Sequence, residues 1–190
     1  MKPVLFCLAQ AAALSLTAPA FASPFYPAEA AVFFSPKGGA EAAIVRSIDD
    51  AKSRIRMQAF LFSNKKITQA LIRAHQRGVK VDVIIDKRMP KKKPNTTQDL
   101  IKAGVPTFFD TAHRTAHDKV IIIDADTVLT GSFNFVKVAE TKNGENLLIL
   151  KSKPLAEEYV KNWEKHFSHS VPADTKKGKG TEVPHSKTQN

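Results

Sequence analysis

Two short segments separated by a turn constrain the fold of this chain more than any other feature. Residues 120–123 form a continuous apolar run, which is typical of a strand that is covered on both faces of a sheet. Asp124 ends this run and begins a turn, and we expect it to have a structural role there. Residues 127–130 can then return antiparallel to the first segment. The pattern predicts two adjacent strands, the first of them buried on both sides.

Polar residues flank this strand pair at one end. His117 and Lys119 stand at positions i and i+2, so their side chains are predicted to face the same way. The return of the second strand brings Gly131, Ser132 and Asn134 back beside them. A histidine, a fixed cation and neutral hydrogen-bond donors suit an anionic phosphoryl centre. We expect Gly131 to let the backbone approach a ligand closely.

The rest of the chain alternates between helical and strand patterns. Residues 67–77 have the spacing of an amphipathic helix, Gly78 ends it, and residues 79–85 have the pattern of a buried strand. Such a succession predicts a βαβ unit, so we expect an α/β fold with a mixed central β-sheet and helices on both faces. The further predicted strands are 31–34, 55–62, 105–109 and 146–150, and the further predicted helices are 41–52, 97–103 and 155–167.

Lysine and arginine outnumber aspartate and glutamate by 29 to 18, which gives a formal net charge of +11. This surplus favours a polyanionic partner, either nucleic acid or an anionic lipid surface, although it would also serve solubility alone. Part of it lies in a proline-containing basic loop at residues 86–95. We expect these cations to contact a phosphate backbone without reading its sequence, with simple solvation as the alternative. The predicted contacts are Lys87, Arg88, Lys91, Lys92, Lys93 and Arg114.

The two ends of the chain differ in composition from the part between them. Residues 1–22 have a positive start, an apolar run and a small-x-small sequence, which predicts a cleaved signal peptide and a periplasmic or secreted protein. An uncleaved membrane anchor is the alternative, although the apolar run is short for a bilayer. Cleavage removes Cys7, the one cysteine, so no disulfide is expected. Residues 23–170 form the predicted domain, and residues 171–190 a disordered basic tail.

The strand pair carries the pattern H-x-K-x4-D from His117 to Asp124, followed by G-S-x-N at residues 131–134. This arrangement resembles the HKD motif of the phospholipase D superfamily. Together with the later Asn-Gly-Glu-Asn at residues 143–146, it is most similar to the small bacterial Nuc-type non-specific endonucleases of that superfamily. The similarity extends over about residues 30–167.

The resemblance implies five catalytic residues, which are His117, Lys119, Asn134, Glu145 and Ser132. It makes the histidine the nucleophile of a two-step reaction, in which a phosphohistidine forms and is then hydrolysed. The lysine and the asparagine hold the non-bridging phosphate oxygens, and the serine adds a hydrogen bond. The glutamate is expected to fix the tautomer and the orientation of the histidine.

One copy of the motif is insufficient for this chemistry. Cleavage of a phosphodiester in line needs one group to attack phosphorus and another, on the opposite side, to protonate the leaving oxygen. The full H-x-K-x4-D pattern occurs once in the sequence, so the second histidine must come from a second chain. We therefore predict a twofold homodimer with a shared active site, and the resemblance to members with one motif per chain implies the same.

The predicted function is that of an exported, metal-independent phosphodiesterase that acts as a non-specific endonuclease on DNA, with RNA as a further candidate substrate. Phospholipase D activity on phospholipid headgroups is the alternative, and non-catalytic nucleic-acid binding is less favoured. No cofactor is expected. The histidine pairs His113/His117 and His166/His169 are weak metal candidates, because Arg114 replaces the glutamate of a helical zinc motif and the mature chain has no cysteine. No metal is therefore predicted.

Overall fold

The computed structural model describes residues 25–173, so the predicted signal peptide and the tail from residue 174 onward lie outside the described range. Its strands are β1 (Glu29–Ser35), β2 (Arg54–Ala59), β3 (Lys80–Asp86), β4 (Thr107–Asp110), β5 (Lys119–Ile123), β6 (Thr127–Gly131), β7 (Glu145–Lys151) and β8 (Ser170–Pro172). Its helices are α1 (Ala40–Asp50), α2 (Lys65–Gln76), α3 (Thr97–Lys102), α4 (Lys137–Thr141) and α5 (Lys153–Ser168). A short 3-10 turn, Met89–Lys91, lies in the basic loop. Within this range, none of the helices has both the length and the apolar character that a bilayer crossing requires.

The strands form one mixed sheet in the order β1-β7-β6-β5-β2-β3-β4-β8. β2, β3 and β4 are parallel to one another, and the other neighbouring strands pair antiparallel. The parallel part contains the predicted βαβ unit, and β5 and β6 are the predicted antiparallel pair. The α/β class with a mixed central sheet is therefore confirmed.

The apolar run of β5 is buried on both faces of the sheet. Ile121 and Ile123 belong to the core that α1 and α2 cover, whereas Val120 and Ile122 pack in a second core with Trp163 of α5. None of these five side chains is more than 7% exposed. Burial of side chains of this size contributes about 1.5–3 kcal/mol each, so the central strand fixes both helical layers. The prediction of helices on both faces is confirmed.

Local sequence sets the bounds of α2. The Asn64 side chain accepts hydrogen bonds from the backbone amides of Lys66 and Ile67 at 3.0 and 3.2 Å, which caps the first turn. Leu71 is fully buried on the face toward the sheet. Gly78 then adopts a φ of 88°, a left-handed conformation that ends the helix and directs the chain into β3.

Asp124 connects the turn between β5 and β6 to the start of β2. Its carboxylate accepts hydrogen bonds from the amides of Lys52, Ser53 and Arg54 at 3.1, 2.8 and 3.0 Å, and from the Ser53 hydroxyl at 2.8 Å. Burial raises the pKa of Asp124, but these hydrogen bonds outweigh that effect and hold the pKa below its ordinary value. The aspartate of the motif thus lies among structural contacts.

Two elements differ from the expectation from sequence. α4 was not predicted, because it is five residues long and buries one apolar side chain, Ala139. β8 pairs with β4 through Val171 and Phe109, although disorder was predicted from residue 171 onward. Three-residue strands lack a recognisable apolar pattern, and β8 depends on contacts with a strand that is distant in sequence.

Candidate active site

Alternating strand directions bring the candidate catalytic residues to one end of the sheet. β2 ends where antiparallel β5 begins, with Ala59 paired to Lys119. β6 returns to the same end, where Gly131 pairs with Leu147 close to the start of β7. The residues before β5, after β6 and at the start of β7 therefore meet, as the predicted return of the second strand requires.

Four of the five predicted catalytic residues line one open cleft of about 490 Å³, and they are His117, Lys119, Ser132 and Asn134. This volume lies in the range of small-molecule sites. Glu145 does not belong to the lining, whereas Tyr159 of α5 does. Tyr159 packs against the second core with part of its side chain, and it also lines the cleft, which the sequence did not indicate.

The His117 ring is exposed and lies directly against the Lys119 ammonium. The Nζ atom of Lys119 is 2.9 Å from Nδ1 and 3.3 Å from Nε2 of His117, and it donates a 2.7 Å hydrogen bond to the His117 carbonyl oxygen. The two side chains therefore face the same way, as their spacing predicted. Burial lowers the pKa of Lys119, while the carboxylates of Asp118 and Glu145 oppose that shift. An anion that approaches the imidazole meets a donor cation beside it.

Phe60 lies beneath these groups and is not among the residues that the sequence predicts for the site. Its ring centroid is 4.4 Å from that of His117. The Lys119 ammonium and the Arg88 guanidinium carbon each lie 5.4 Å from the Phe60 centroid. The negative face of an aromatic ring attracts such cations, so Phe60 helps to place both beside the imidazole. An aromatic residue at the end of a strand gives no signal in the sequence that distinguishes this position from the core.

Glu145 makes no hydrogen bond to His117 within residues 25–173, so its predicted contact is not present in the protomer. Its carboxylate accepts hydrogen bonds from the Ser132 hydroxyl at 2.6 Å and from the Asn143 side-chain amide at 3.0 Å. Glu145 is the first residue of β7, and β6 lies between β7 and β5. The Glu145 side chain therefore contacts Ser132, which follows β6, rather than His117, which precedes β5. The glutamate therefore positions Ser132, and Lys119 is the group that contacts Nδ1 of His117.

Asn134 is held between two buried aromatic residues, Phe133 and Phe135, each 1% exposed. The Asn134 side-chain oxygen is buried and has no hydrogen-bond partner among the described residues. A buried polar atom without a hydrogen bond costs about 1–3 kcal/mol of stability. A ligand that forms a hydrogen bond with this amide would remove that cost. Rotation about its last bond exchanges the oxygen for the NH₂ group, which donates to anions.

Strand packing requires a glycine at position 131. Gly131 has a φ of 149°, and a Cβ at this position would lie 2.3 Å from the carbonyl oxygen of Asn146 on β7. Gly131 also lines the cleft, so the close approach of a ligand to its backbone stays a prediction. The neighbouring strand occupies the space of the missing side chain.

Residues 111–118, here called the crossover segment, carry the chain from β4 past the ends of β3 and β2 to β5. Asp86, which is 1% exposed at the end of β3, accepts a 2.8 Å hydrogen bond from the Ala116 amide. The amide of Phe60, which follows β2, donates a 2.9 Å hydrogen bond to the Asp118 carbonyl oxygen. The segment is thus hydrogen-bonded at each strand that it passes, and the candidate nucleophile lies between the two contacts.

Two cations of the basic loop make contacts close to the cleft. Arg88 forms an ion pair with Asp86, with Nε and Oδ1 separated by 2.8 Å, and its guanidinium lies over Phe60 beside the cleft. Lys87 donates a 2.9 Å hydrogen bond to the Thr111 carbonyl oxygen of the crossover segment. These two residues therefore contact segments next to the cleft but do not line it.

The remaining predicted contacts are distributed over the surface. Lys92 and Lys93 line a second cleft of about 820 Å³. Its apolar wall consists of Leu61, Met89, Pro94, Val136 and Val138. Lys91 and Arg114 are exposed to solvent. The second cleft combines lysines with an apolar surface, which the sequence did not indicate.

Replacing Asp86 with asparagine is expected to lower the free energy of unfolding by about 1.5–3 kcal/mol, because its carboxylate accepts charge-assisted hydrogen bonds from Arg88 and a hydrogen bond from Ala116. We also expect kcat to fall more than KM changes, since the Ala116 contact positions the crossover segment. Asp82→Asn is a matched control, because Asp82 lies on the same strand and pairs with Arg54 instead. Equal kinetic effects of the two substitutions would contradict this role.

The Asp86 substitution also has a defined pH dependence. Burial raises the pKa of Asp86, but hydrogen bonds from Arg88 and Ala116 outweigh burial and hold the pKa below its ordinary value of about 3.9. A carboxyl group of this kind stabilises the fold above its unfolded pKa, and the contribution is lost as the pH falls through the folded pKa. Denaturant unfolding should show a constant difference between wild type and Asp86→Asn from pH 7 to about 5, and a smaller one below about pH 4.

A second group of polar side chains lies at the same end of the sheet, beside β4 rather than β5. Its members are Asp110, His113, His166 and His169, whose candidate ligand atoms all lie within 4.8 Å of one another. None of the four is among the residues that line the 490 Å³ cleft. The sequence presents these histidines as separate pairs and predicts no metal, because the pairing of β4 with β8 that brings them together has no local signal.

Comparison with known proteins places this geometry in a family. Residues 44–169 match the family model described as cardiolipin synthase, PLD-like domain. A Rickettsia typhi protein named phospholipase D is 42% identical over 130 residues, which are 68% of this chain and 64% of that protein. A Xenopus tropicalis protein named mitochondrial cardiolipin hydrolase is 30% identical over 123 residues, which are 65% of this chain and 59% of that protein. The chain thus spans less than two thirds of the length of these relatives.

A solved structure shares both fold and sequence with the chain. Nuc from Salmonella typhimurium, described as a phospholipase D family member, superposes with a TM-score of 0.73 at 38% identity, over 77% of this chain and 98% of that one. The fold, the motif at the strand ends and these matches define the class as PLD-like domain proteins. The chain belongs to the phospholipase D superfamily, and the predicted resemblance to its Nuc-type members is confirmed.

Proposed function

We propose that the chain is a metal-independent phosphodiesterase that cleaves nucleic acid internally and without sequence preference, at a site completed by a second copy of itself. The observation that carries this proposal is the cleft in which an exposed imidazole and an ammonium lie beside a hydroxyl and a side-chain amide. These groups supply a nucleophile, a fixed positive charge and neutral hydrogen-bond donors to a phosphoryl group. The proposed reaction involves no cofactor.

The proposed reaction has two steps. An imidazole nitrogen of His117 in one protomer attacks phosphorus and forms a P–N bond, while the bond from phosphorus to the leaving oxygen breaks. The imidazole of the second copy donates a proton to that oxygen. The same imidazole then removes a proton from water, whose oxygen attacks phosphorus and breaks the P–N bond. One alcohol and one phosphate monoester result, and both imidazoles regain their starting protonation.

Lys119 and Asn134 stabilise the phosphoryl group in this scheme. In the protomer, the Lys119 ammonium lies on His117, and a non-bridging oxygen would compete for the same donor. We expect substrate binding to replace the contact between Lys119 and His117 with a contact between Lys119 and phosphate, which frees the imidazole. The Asn134 NH₂ group supplies a further hydrogen bond to a non-bridging oxygen.

A homodimer follows from the need for two imidazoles. His117 is exposed in the protomer and its cleft is open, so a second chain can approach the ring. We propose a twofold axis that passes through the cleft, because this symmetry places two copies of His117 on opposite sides of one phosphorus. Glu145 contributes by fixing Ser132 at the edge of that shared site.

Charge favours nucleic acid as the substrate. The net charge of +11, the Arg88 guanidinium beside the cleft and the exposed Lys91 and Arg114 suit a long polyanion. The second cleft, with its apolar wall and lysines, favours phospholipid hydrolysis as the alternative. The names of the Rickettsia and Xenopus relatives support that alternative. We also propose export, on the composition of residues 1–22 alone.

One set of parallel assays in EDTA separates these functions. Plasmid DNA, a mixed-sequence RNA and vesicles containing cardiolipin are incubated with the protein at 25 °C. A nuclease nicks the plasmid at many positions and leaves the vesicles intact, which is the expected result. Headgroup release without nicking would establish the phospholipase, and DNA binding with no turnover of any substrate would establish a binding protein. Loss of cleavage in EDTA that magnesium restores would overturn the metal-independent mechanism.

A further inference from the structure

Three imidazoles surround a buried carboxylate at the end of β4. Asp110 is 1% exposed, and its Oδ1 accepts hydrogen bonds from the backbone amides of Ala112 and His113 at 3.2 and 3.1 Å. Its Oδ2 lies 2.9 Å from Nδ1 of His113, 3.0 Å from Nδ1 of His166 and 3.3 Å from Nε2 of His169. Three ring nitrogens from separate parts of the chain therefore converge on a single oxygen atom.

Hydrogen bonding alone accounts poorly for this convergence. A carboxylate oxygen has two lone pairs, so three N–H donors exceed what Oδ2 can accept with good geometry. Protonation of all three imidazoles would place three positive charges around one negative charge, with ligand atoms within 4.8 Å of one another. The His113 and His166 rings stack with centroids 4.6 Å apart and present their Nδ1 atoms to the same point. Lone pairs that converge on a point are what a metal ion requires.

We propose that Asp110, His113, His166 and His169 bind one divalent transition-metal ion of the zinc type. Zinc bonds of about 2.0–2.1 Å at tetrahedral angles place neighbouring ligand atoms about 3.3 Å apart. The three distances to Oδ2, from 2.9 to 3.3 Å, are close to this value, so small outward movements of the side chains admit the ion. Three imidazoles and one carboxylate suit zinc, nickel or copper rather than magnesium or calcium.

Contacts behind the ligands hold their positions. The Ser170 hydroxyl donates to the His166 carbonyl oxygen at 2.7 Å, and the Thr111 hydroxyl donates to the His169 carbonyl oxygen at 2.9 Å. Together with the two amides on Oδ1 of Asp110, these bonds orient the ligands from outside the first coordination sphere. Four protein ligands leave no open coordination position, so the site is structural.

The ion joins the ends of α5 and β4 and the start of β8 to the crossover segment. His113 lies in that segment, four positions before His117. β4 is three strands from β5, which is about 14 Å at a strand spacing of about 4.8 Å, so the ion restrains the crossover segment without entering the cleft. The proposed metal site does not depend on the proposed phosphodiesterase function, because the metal ion takes no part in the reaction.

Zinc titration of the full chain, after removal of bound metal, tests the site. We expect one zinc per chain by elemental analysis. At a free zinc concentration about 100 times Kd, we expect a rise in Tm of roughly 5–10 °C. The X-ray absorption spectrum at the zinc edge should show nitrogen and oxygen neighbours at about 2.0–2.2 Å and no sulfur. DNA cleavage by the metal-free protein at 25 °C is measured separately, so that a failure of the metal site and a failure of the phosphodiesterase are distinguishable.

His113→Ala and His166→Ala are expected to abolish stoichiometric zinc binding and the rise in Tm. His75→Ala is the matched control, because His75 lies on α2 outside the cluster and should leave both intact. If a substitution prevents folding, the absorption spectrum of the wild-type protein still decides the ligands. Wild-type protein that binds no stoichiometric zinc, or whose Tm follows pH and ignores zinc, would overturn the proposal.

Discussion

His117→Ala is expected to lower the rate of plasmid cleavage by at least about 10⁴-fold, while the affinity for DNA changes by less than about threefold. The imidazole is the proposed nucleophile in one protomer and the proposed acid in the other, so one substitution removes both groups from the shared site. Lys119 and the exposed cations that are proposed to contact phosphate stay in place, which preserves binding. Initial rates of nicking and fluorescence anisotropy with a labelled duplex measure the two effects.

Mixed dimers give the sharper form of this test. Wild-type and His117→Ala chains are refolded together in equal amounts, so that about one quarter of the dimers contain two wild-type subunits. If a site needs both imidazoles, cleavage should fall to about one quarter of the wild-type rate, following the square of the wild-type fraction. His75→Ala chains in the same mixture should leave the rate unchanged. A rate of one half would show that each chain acts independently and would refute the shared site.

Gly131→Ala is expected to lower the free energy of unfolding by about 2–5 kcal/mol, which is a large part of the stability of a domain of this size. The added Cβ would lie 2.3 Å from the carbonyl oxygen and 2.9 Å from the Oδ1 of Asn146, distances at which β6 and β7 must separate. The φ of 149° adds strain for a residue with a side chain. Urea unfolding followed by circular dichroism measures the loss.

Gly144→Ala is the matched control for this substitution. A Cβ at Gly144 has no heavy atom within 4 Å, and this glycine precedes the start of β7 by one residue. We expect a change within about 0.5 kcal/mol. Equal stability of the two variants would show that β6 and β7 can move apart without cost. Strand packing would then not require glycine at position 131.

The parts of the fold that follow from local pattern could be predicted from the sequence. The apolar run of β5 indicated burial on both faces, and the spacing of His117 and Lys119 indicated that their side chains lie together. Both predictions succeed because they depend only on the geometry of a single strand. The order of the strands could not be derived in this way. The pairing of β4 with β8 and of β1 with β7 depends on contacts between distant segments.

The aromatic residues of the cleft show a second limit. Phe60, which follows β2, lies against the His117 ring, and Tyr159 both packs against the core and lines the cleft. Whether such a ring is covered depends on what lies beyond the end of its element. Likewise, Glu145 was assigned to His117 by resemblance alone, whereas its position at the start of β7 places it against Ser132.

Finally, the hydrogen bonds of the crossover segment hold the backbone around His117 before any substrate binds. Exposed loops usually open locally at little cost, and a catalytic group on such a loop must be immobilised anew in each turnover. Here the Ala116 amide is bonded to a buried carboxylate and the Asp118 carbonyl to the amide of Phe60, one on each side of His117. The backbone that carries His117 is therefore held in place before substrate binds, and in the proposed reaction this leaves more binding energy for stabilising the transition state.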